Sequence, residues 1–371
     1  MHSVKSVMGL VNLQKKDTLI KELTENRPIA SIPFAGRYRI IDFALSSMVN
    51  SGIGNVGILL PEKSRSVLDH LRSGKDWDLA RRHEGLCYLP AARVDKGSRD
   101  GDLKNCYYNL DFINHSDEKY ILLANGSVIY NMDFSNVLRF HQNTGADITM
   151  VYNVETREEP SEGVVLQTAE NGLVTDIALK PAVHEDEKVS VGVYLMTREV
   201  FMELVRYAFE HGGSDFLLDG VMRQARDYAI YGYAHDGYVA RITSTTSYYQ
   251  ASMDVLEPAI WEELFMGEAS IYTKIKDRAP VQYKETAKVT NSLVANGCVV
   301  RGEVEHSILC RGVEIAKGVK VRNSIIMQCC VLHENALVEN VICDKNVVIT
   351  QDKWLKGAPN YPLIVGKNIV I

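Results

Sequence analysis

No stretch of the 371-residue chain approaches the roughly 18 apolar residues of a membrane-spanning helix. The opening MHSVKSVMGLVNLQKK has no small-residue cleavage site after its short apolar stretch, so no secretory leader is expected. The seven cysteines are odd in number and form no CxxC pair. That argues against a metal site and a disulfide framework, and for buried, inert thiols in a reducing cytoplasm. No HxxxH pair occurs among the ten histidines, and no serine sits in a nucleophile-elbow pattern. A net charge of -6 argues against nucleic acid as a partner. Glycine is missing from NLQKKDTLI, Asn12 to Ile20. A loop that cradles phosphate needs bare backbone N–H groups close to the ligand, so this loop lacks the usual means of doing so.

What is present is enough for two domains with a sizeable core: 46% of residues are hydrophobic and 24% charged. The first two thirds alternate strand and helix patterns. Strands are expected over about 4–11, at Val56 to Leu60, Tyr120 to Ala124, Asp147 to Val154 and Val191 to Met196. A hairpin is expected around Glu170-Asn171-Gly172. Helices are expected at Ile40 to Asn50, at Asp133 to Asn143, and after Thr197 as cap. This alternation predicts a doubly wound, Rossmann-like α/β domain over 1–256, with its ligand at the carboxyl ends of the strands. Residues 257–288 read as a connector.

After 289 the pattern changes. Asn291-Ser292-Leu293-Val294 returns as His306-Ser307-Ile308-Leu309, Asn323-Ser324-Ile325-Ile326 and Asn340-Val341-Ile342. Val313, Val319, Ile325, Val331, Leu337, Cys343 and Ile349 follow a hexapeptide period. This predicts a parallel (left-handed) β-helix over 289–371, whose coils bury their inward side chains only by stacking. His306 and His333 are expected as turn or exposed histidines, and Cys329-Cys330 as one inward and one outward side chain on a coil.

An α/β domain carrying IPFAGRYRIIDF, joined to hexapeptide coils, resembles ADP-glucose pyrophosphorylase (glucose-1-phosphate adenylyltransferase). Trp77-Asp78-Leu79, Asn109-Leu110-Asp111-Phe112-Ile113, Ile129-Tyr130-Asn131-Met132-Asp133 and Met253-Asp254-Val255-Leu256 extend the resemblance through most of the chain. The departures concentrate in the chemistry. Gln14, Lys15 and Asp17 stand where the family has three glycines, Leu19 where it has an arginine, and Ile29 where it has a lysine. Ser127 and Arg241 stand at the positions of the two aspartates that hold Mg²⁺. That ion prefers carboxylates, and nucleotidyl transfer depends on neutralising developing charge. Asp17 and Asp102 are the imaginable substitute ligands.

The resemblance also implies sugar-phosphate contacts at Lys180, Ser190, Gly192, Tyr194, Asp215 and Phe216, although Leu179 and Val239 replace a glutamate and a tryptophan of the pattern. Asp215 alternatively caps a helix starting near Ser214. Arg27 and Arg39 match effector-binding positions. With Arg37 they either form an anion site or pair with surface carboxylates. Taken together, the chain is most similar to the family's GlgD-type subunits of bacterial glycogen synthesis. The expectation is a cytoplasmic, non-catalytic or weakly catalytic regulatory subunit, with no catalytic residues assigned and no cofactor of its own. Its expected partner is a Mg²⁺-dependent catalytic homologue, in a heterotetramer, with a phosphorylated sugar or glucose-1-phosphate as small ligand. The alternatives are an active adenylyltransferase with a rebuilt loop and a β-helix acyltransferase using His306 or His333.

Overall fold

A strand that is apolar on both faces has to be covered on both, and Val7–Asn12 (β1) is such a strand. The computed structural model describes residues 4–14, 18–81, 84–91, 101–155, 162–267 and 269–371. The chain forms two compact units. One comprises Met1–Lys16, Phe43–Val239 and Ala269–Tyr272; the other comprises Asp17–Asp42, Ala240–Glu268 and Thr273–Ile371.

In the first unit β1 lies inside a nine-stranded sheet. The other strands are Asn55–Leu59 (β2), Gly85–Leu89 (β3), Tyr120–Asn125 (β4), Ile148–Val154 (β5), Gly163–Thr168 (β6), Val174–Lys180 (β7), Lys188–Thr197 (β8) and Ile230–Ala234 (β9). Their order is β7-β6-β8-β4-β1-β2-β3, with β5 also paired to β8 and β9 to β5. β1 runs parallel to β2 and β4, whereas β8 runs antiparallel to β4. The chain reverses its winding at β1, and the last residues of β1 and β4, Asn12 and Asn125, stand in register there. Phe134–Thr144 packs Phe134, Val137, Leu138 and His141 inward; Asp133 caps its start and Gly145, left-handed, ends it. Thr197 caps Arg198–Glu210 by accepting from Val200 N–H.

Two strand boundaries differ from expectation. The first strand starts at Val7 because Val4–Ser6 winds into a 3₁₀ turn. β8 is longer than its apolar run because its register shifts between Ser190 and Val193. Gly192 makes that shift with φ +77°, and a Cβ there would stand 3.0 Å from Asn125 Cβ.

The second unit contains three stacks of five parallel strands, the faces of a parallel β-helix. The recurring tetrapeptides stack as one face: Leu293, Ile308, Ile325, Ile342 and Ile364 are in register. Another face begins at Gln282–Tyr283, which pairs with Val299–Val300 and lies in the stretch expected as connector. The inward set is not the strict six-residue series. It runs Leu309, Ile315, Val321, Ile326, Leu332, Val338, Cys343, dropping one residue at each third corner. Val331 and Leu337 are therefore only half-buried. Asn291, Asn323, Asn335, Asn340, Asn346 and Asn368 adopt positive φ, which asparagine tolerates better than most residues. Cys329 does so as well, at a corner of the coil where Cys330 is buried and Cys329 only half-buried, one inward and one outward side chain as expected. The final coil exposes Trp354, Tyr361 and Val370.

Consecutive coils are also tied by buried serines. Ser307 N–H donates to Ser292 Oγ, Ser324 N–H to Ser307 Oγ and Val341 N–H to Ser324 Oγ, at 3.0–3.1 Å. Ser307→Ala leaves the Ser324 N–H buried without its acceptor. It is expected to lower stability by about 1–3 kcal/mol in denaturant titration. A change near zero would show that the ladder adds nothing to the stacking.

Candidate functional site

Open α/β sheets bind ligands outside the carboxyl ends of their strands, where the strand order reverses. In the first unit that place is marked by Asn12 and Asn125. Asn12 Oδ1 accepts from Gln14 N–H at 2.9 Å, so the chain leaving β1 is turned back by a side chain, with no glycine involved. Lys15 and Asp17 lie outside the described residues. Asn125 Oδ1 accepts from Ser127 N–H and from Ser127 Oγ, at 2.9 and 2.8 Å. The Ser127 hydroxyl is thus spent inside its own turn.

The residues expected to hold a sugar phosphate fall in two places. On β8, Gly192 N–H donates to Ser190 Oγ at 3.1 Å, and Ser190 Oγ lies 3.4 Å from Tyr194 Oη. Burial holds the Tyr194 phenol above its usual range, and the charges of Asp215 and Asp102 act in the same direction. Asp215 does cap a helix, Phe216–Met222, accepting from Leu218 N–H at 2.8 Å. The Phe216 ring packs on Phe201 with centroids 5.2 Å apart. Lys180, at the end of β7, is ion-paired with Glu187, whose carboxylate is held below its ordinary range by that lysine and by His184 N–H. The expected phosphate-binding ammonium therefore already has a counter-ion.

Asp102 was a candidate metal ligand, and its oxygens have other work. Oδ2 accepts from Asn12 Nδ2 at 2.5 Å and Oδ1 from Phe216 N–H at 2.8 Å. Burial and the neighbouring Asp215 carboxylate push Asp102 up to about 7, against the pull of those donors. Among the described residues no group of three or more His, Cys, Asp or Glu side chains could hold a metal ion. A Ser127 hydroxyl already bonded to Asn125 does not fit the Mg²⁺ that the resemblance implies.

The second unit gathers the expected effector arginines. Arg27 is buried. Its Nε donates to Leu23 C=O at 2.8 Å, and Nη2 pairs with the buried Asp344 at 2.8 Å. Arg39 N–H donates to Asp42 Oδ2 at 2.9 Å, and the side chains of Arg39 and Arg27 both bear on Lys345. Burial, then Arg39 and Arg27, push the Lys345 ammonium down to about 7; Asp344 opposes them and Lys276 adds to them. Lys276 is itself held below its usual value by burial, Arg39 and Arg311. Arg311, buried, is held down by burial and Arg37. Positive charge thus exceeds negative in this cluster, the electrostatic condition for binding an anion. Sequence reading missed Lys276, Arg311, Asp344 and Lys345. They sit far along the chain from Arg27, Lys276 just before the first coil strand and Arg311, Asp344 and Lys345 on coils whose local pattern carries only the stacking signal.

Residues 18–258 match the family described as nucleotidyl transferase, and residues 279–355 the GlmU-like C-terminal hexapeptide. The chain is similar to "Glycogen biosynthesis protein GlgD" of Bacillus subtilis (strain 168), 34% identical over 365 residues, 98% of this chain and 96% of that protein. It is also similar to the protein of the same name from Geobacillus stearothermophilus, 36% identical over 317 residues, 85% of this chain and 82% of that protein. A third relative is "Glucose-1-phosphate adenylyltransferase" of Desulfitobacterium hafniense (strain Y51), 31% identical over 334 residues, 88% of this chain and 83% of that protein.

Two outcomes follow from the buried charges. Arg27→Ala strands Asp344 and is expected to cost about 3–5 kcal/mol in unfolding free energy. Disrupting the exposed Lys288–Glu303 pair should cost about 1 kcal/mol or less. Asp102 has a folded pKa above its unfolded one, so its stabilising contribution is complete at low pH and is lost as pH rises through about 7. Between about pH 5 and pH 8 the melting temperature of the native sequence should fall relative to that of Asp102→Asn. Parallel pH profiles would count against a protonated Asp102.

Proposed function

We propose, from the premise that this chain belongs to the ADP-glucose pyrophosphorylase (glucose-1-phosphate adenylyltransferase) family, that it is a regulatory subunit of that enzyme in bacterial glycogen biosynthesis. It pairs in the cytoplasm with a catalytic homologue that makes ADP-glucose and pyrophosphate from ATP and glucose-1-phosphate. Its own turnover is absent or weak, and the Mg²⁺ of the reaction is held by the partner. One observation carries this reading. Where nucleotide phosphates and a metal would need bare N–H groups and carboxylates, the chain has the Asn12–Gln14 side-chain turn and the self-bonded Ser127. The names of its relatives supply the pathway.

The basic cluster supports the regulatory part. Arg39, Lys276 and Lys345 are suited to the phosphate groups of a phosphorylated sugar, and the Arg27–Asp344 pair fixes the floor beneath them. The exposed aromatic side chains on the last coil, Trp354 and Tyr361, support assembly, as does its open edge. A heterotetramer is the assembly proposed.

A second reading, an active adenylyltransferase, is favoured by the printed names of relatives such as the Desulfitobacterium protein. One assay separates the two. ADP-glucose formation is measured with this chain alone, a catalytic homologue alone, and both mixed. Silence alone with a raised rate in the mixture is the expected result; turnover alone at about 1 per second or more would favour the enzyme.

The effector site makes a separate prediction. A bound anion raises the Lys345 pKa and draws a proton onto it, so sulfate should bind more tightly as pH falls from about 8 to about 6. Lys345→Met should flatten that dependence in calorimetric titration. Unchanged pH dependence would remove Lys345 from the site.

A further inference from the structure

The crevice at the carboxyl ends of β1 and β4 is where a doubly wound sheet presents hydrogen-bonding groups to a ligand. Here Asn12, which ends β1, donates its side-chain amide to Asp102 Oδ2 at 2.5 Å. The other Asp102 oxygen takes Phe216 N–H at 2.8 Å. The backbone beside it is pressed onto the same segment. Leu103 N–H donates to Ser214 C=O at 3.1 Å, and a Cβ on Gly101 would stand 1.8 Å from that oxygen, so only glycine fits. Residues 101–103 are thereby clamped to residues 214–216, with a carboxyl held between a donor at the end of β1 and one at a helix start. Asp215, the Cys106 thiol and the Tyr194 phenol face Asp102. Among the described residues, no basic side chain forms an ion pair with Asp102 or Asp215. Two carboxyls in one buried place are unfavourable for the fold unless one is protonated.

We propose that Asp102 is a built-in stopper of the sugar crevice: it occupies the Asn12 and Phe216 donors that a hexose hydroxyl would use, and its charge, with that of Asp215, repels a hexose phosphate. This deepens the reading of the chain as a subunit that keeps the sugar side of its family's scaffold and rests on that reading. It accounts for a crevice whose Asn12 amide and Phe216 N–H are both satisfied by Asp102. Protonation weakens the stopper, because a neutral carboxyl has one acceptor fewer and no charge. The burial and the Asp215 carboxylate that raise Asp102 to about 7 place this change near neutral pH.

The test is direct binding of glucose-1-phosphate to the full-length chain without any partner, by titration calorimetry, between about pH 6 and about pH 8. The native sequence should bind weakly at the upper end and more tightly at the lower. Asp102→Ala and Asp102→Asn should bind about tenfold or more tightly at the upper end, the scale of one hydrogen bond to a charged group, and show a flatter pH profile. The Asp102→Asn series also corrects for titration of the sugar phosphate itself. Folded variants that bind no more tightly than the native sequence overturn the proposal. So does a native affinity that is the same at both ends of the pH range, a result that needs no variant to fold. So does a lack of binding by every form. Stimulation of a catalytic homologue needs no sugar on this chain, so the subunit reading and the stopper fail separately.

Discussion

A polar group taken out of water has to find a partner inside the protein, and both units are arranged around that constraint. In the first, the Asp102 carboxyl is held by Asn12 and Phe216 N–H. In the second, Asp344 is held by Arg27, and the buried serines of the coils accept the N–H of the next coil. Hydrophobic burial supplies most of the driving force, through the sheet core and the stacked inward side chains of the coils. The polar partnerships decide which of many apolar arrangements is adopted, because a mispaired buried charge costs more than a misplaced methyl group.

The same constraint bears on function. A site that is to bind a ligand keeps some of its polar groups available to it. In the crevice of the first unit, Asn12 bonds Gln14 and Asp102, Asn125 bonds Ser127, and Lys180 pairs with Glu187. In the second unit the balance is reversed. Arg39, Lys276, Arg311 and Lys345 crowd together, and burial first, then their mutual repulsion, holds Lys276, Arg311 and Lys345 below their ordinary values.

Some of this was legible in the residues. Period and punctuation identified the alternating first unit, the cap at Thr197, and the recurring tetrapeptides of the coils. Asp215 carried two readings, and the structure realises the cap. Other positions were misread for an identifiable reason. The strict hexapeptide series keeps Val313, Val319, Ile325, Cys343 and Ile349 inside but misses at Val331 and Leu337, because each coil drops a residue at one corner.

By itself the sequence determined the class of each unit, the stacking of the coils, and the loss of glycine and carboxylate from the places where phosphate and metal chemistry would need them. Those properties follow from short-range geometry: a side chain's periodicity, a missing Cβ, the charge a residue type can carry. Only the tertiary structure decided what Asp102 does, because its partners Asn12 and Phe216 lie 90 and 114 residues away. The same holds for the Arg27–Asp344 pair and for the crowding that lowers Lys345. The energy of a buried charge depends on which groups surround it and how far water is excluded, and both are set by how distant segments fold together.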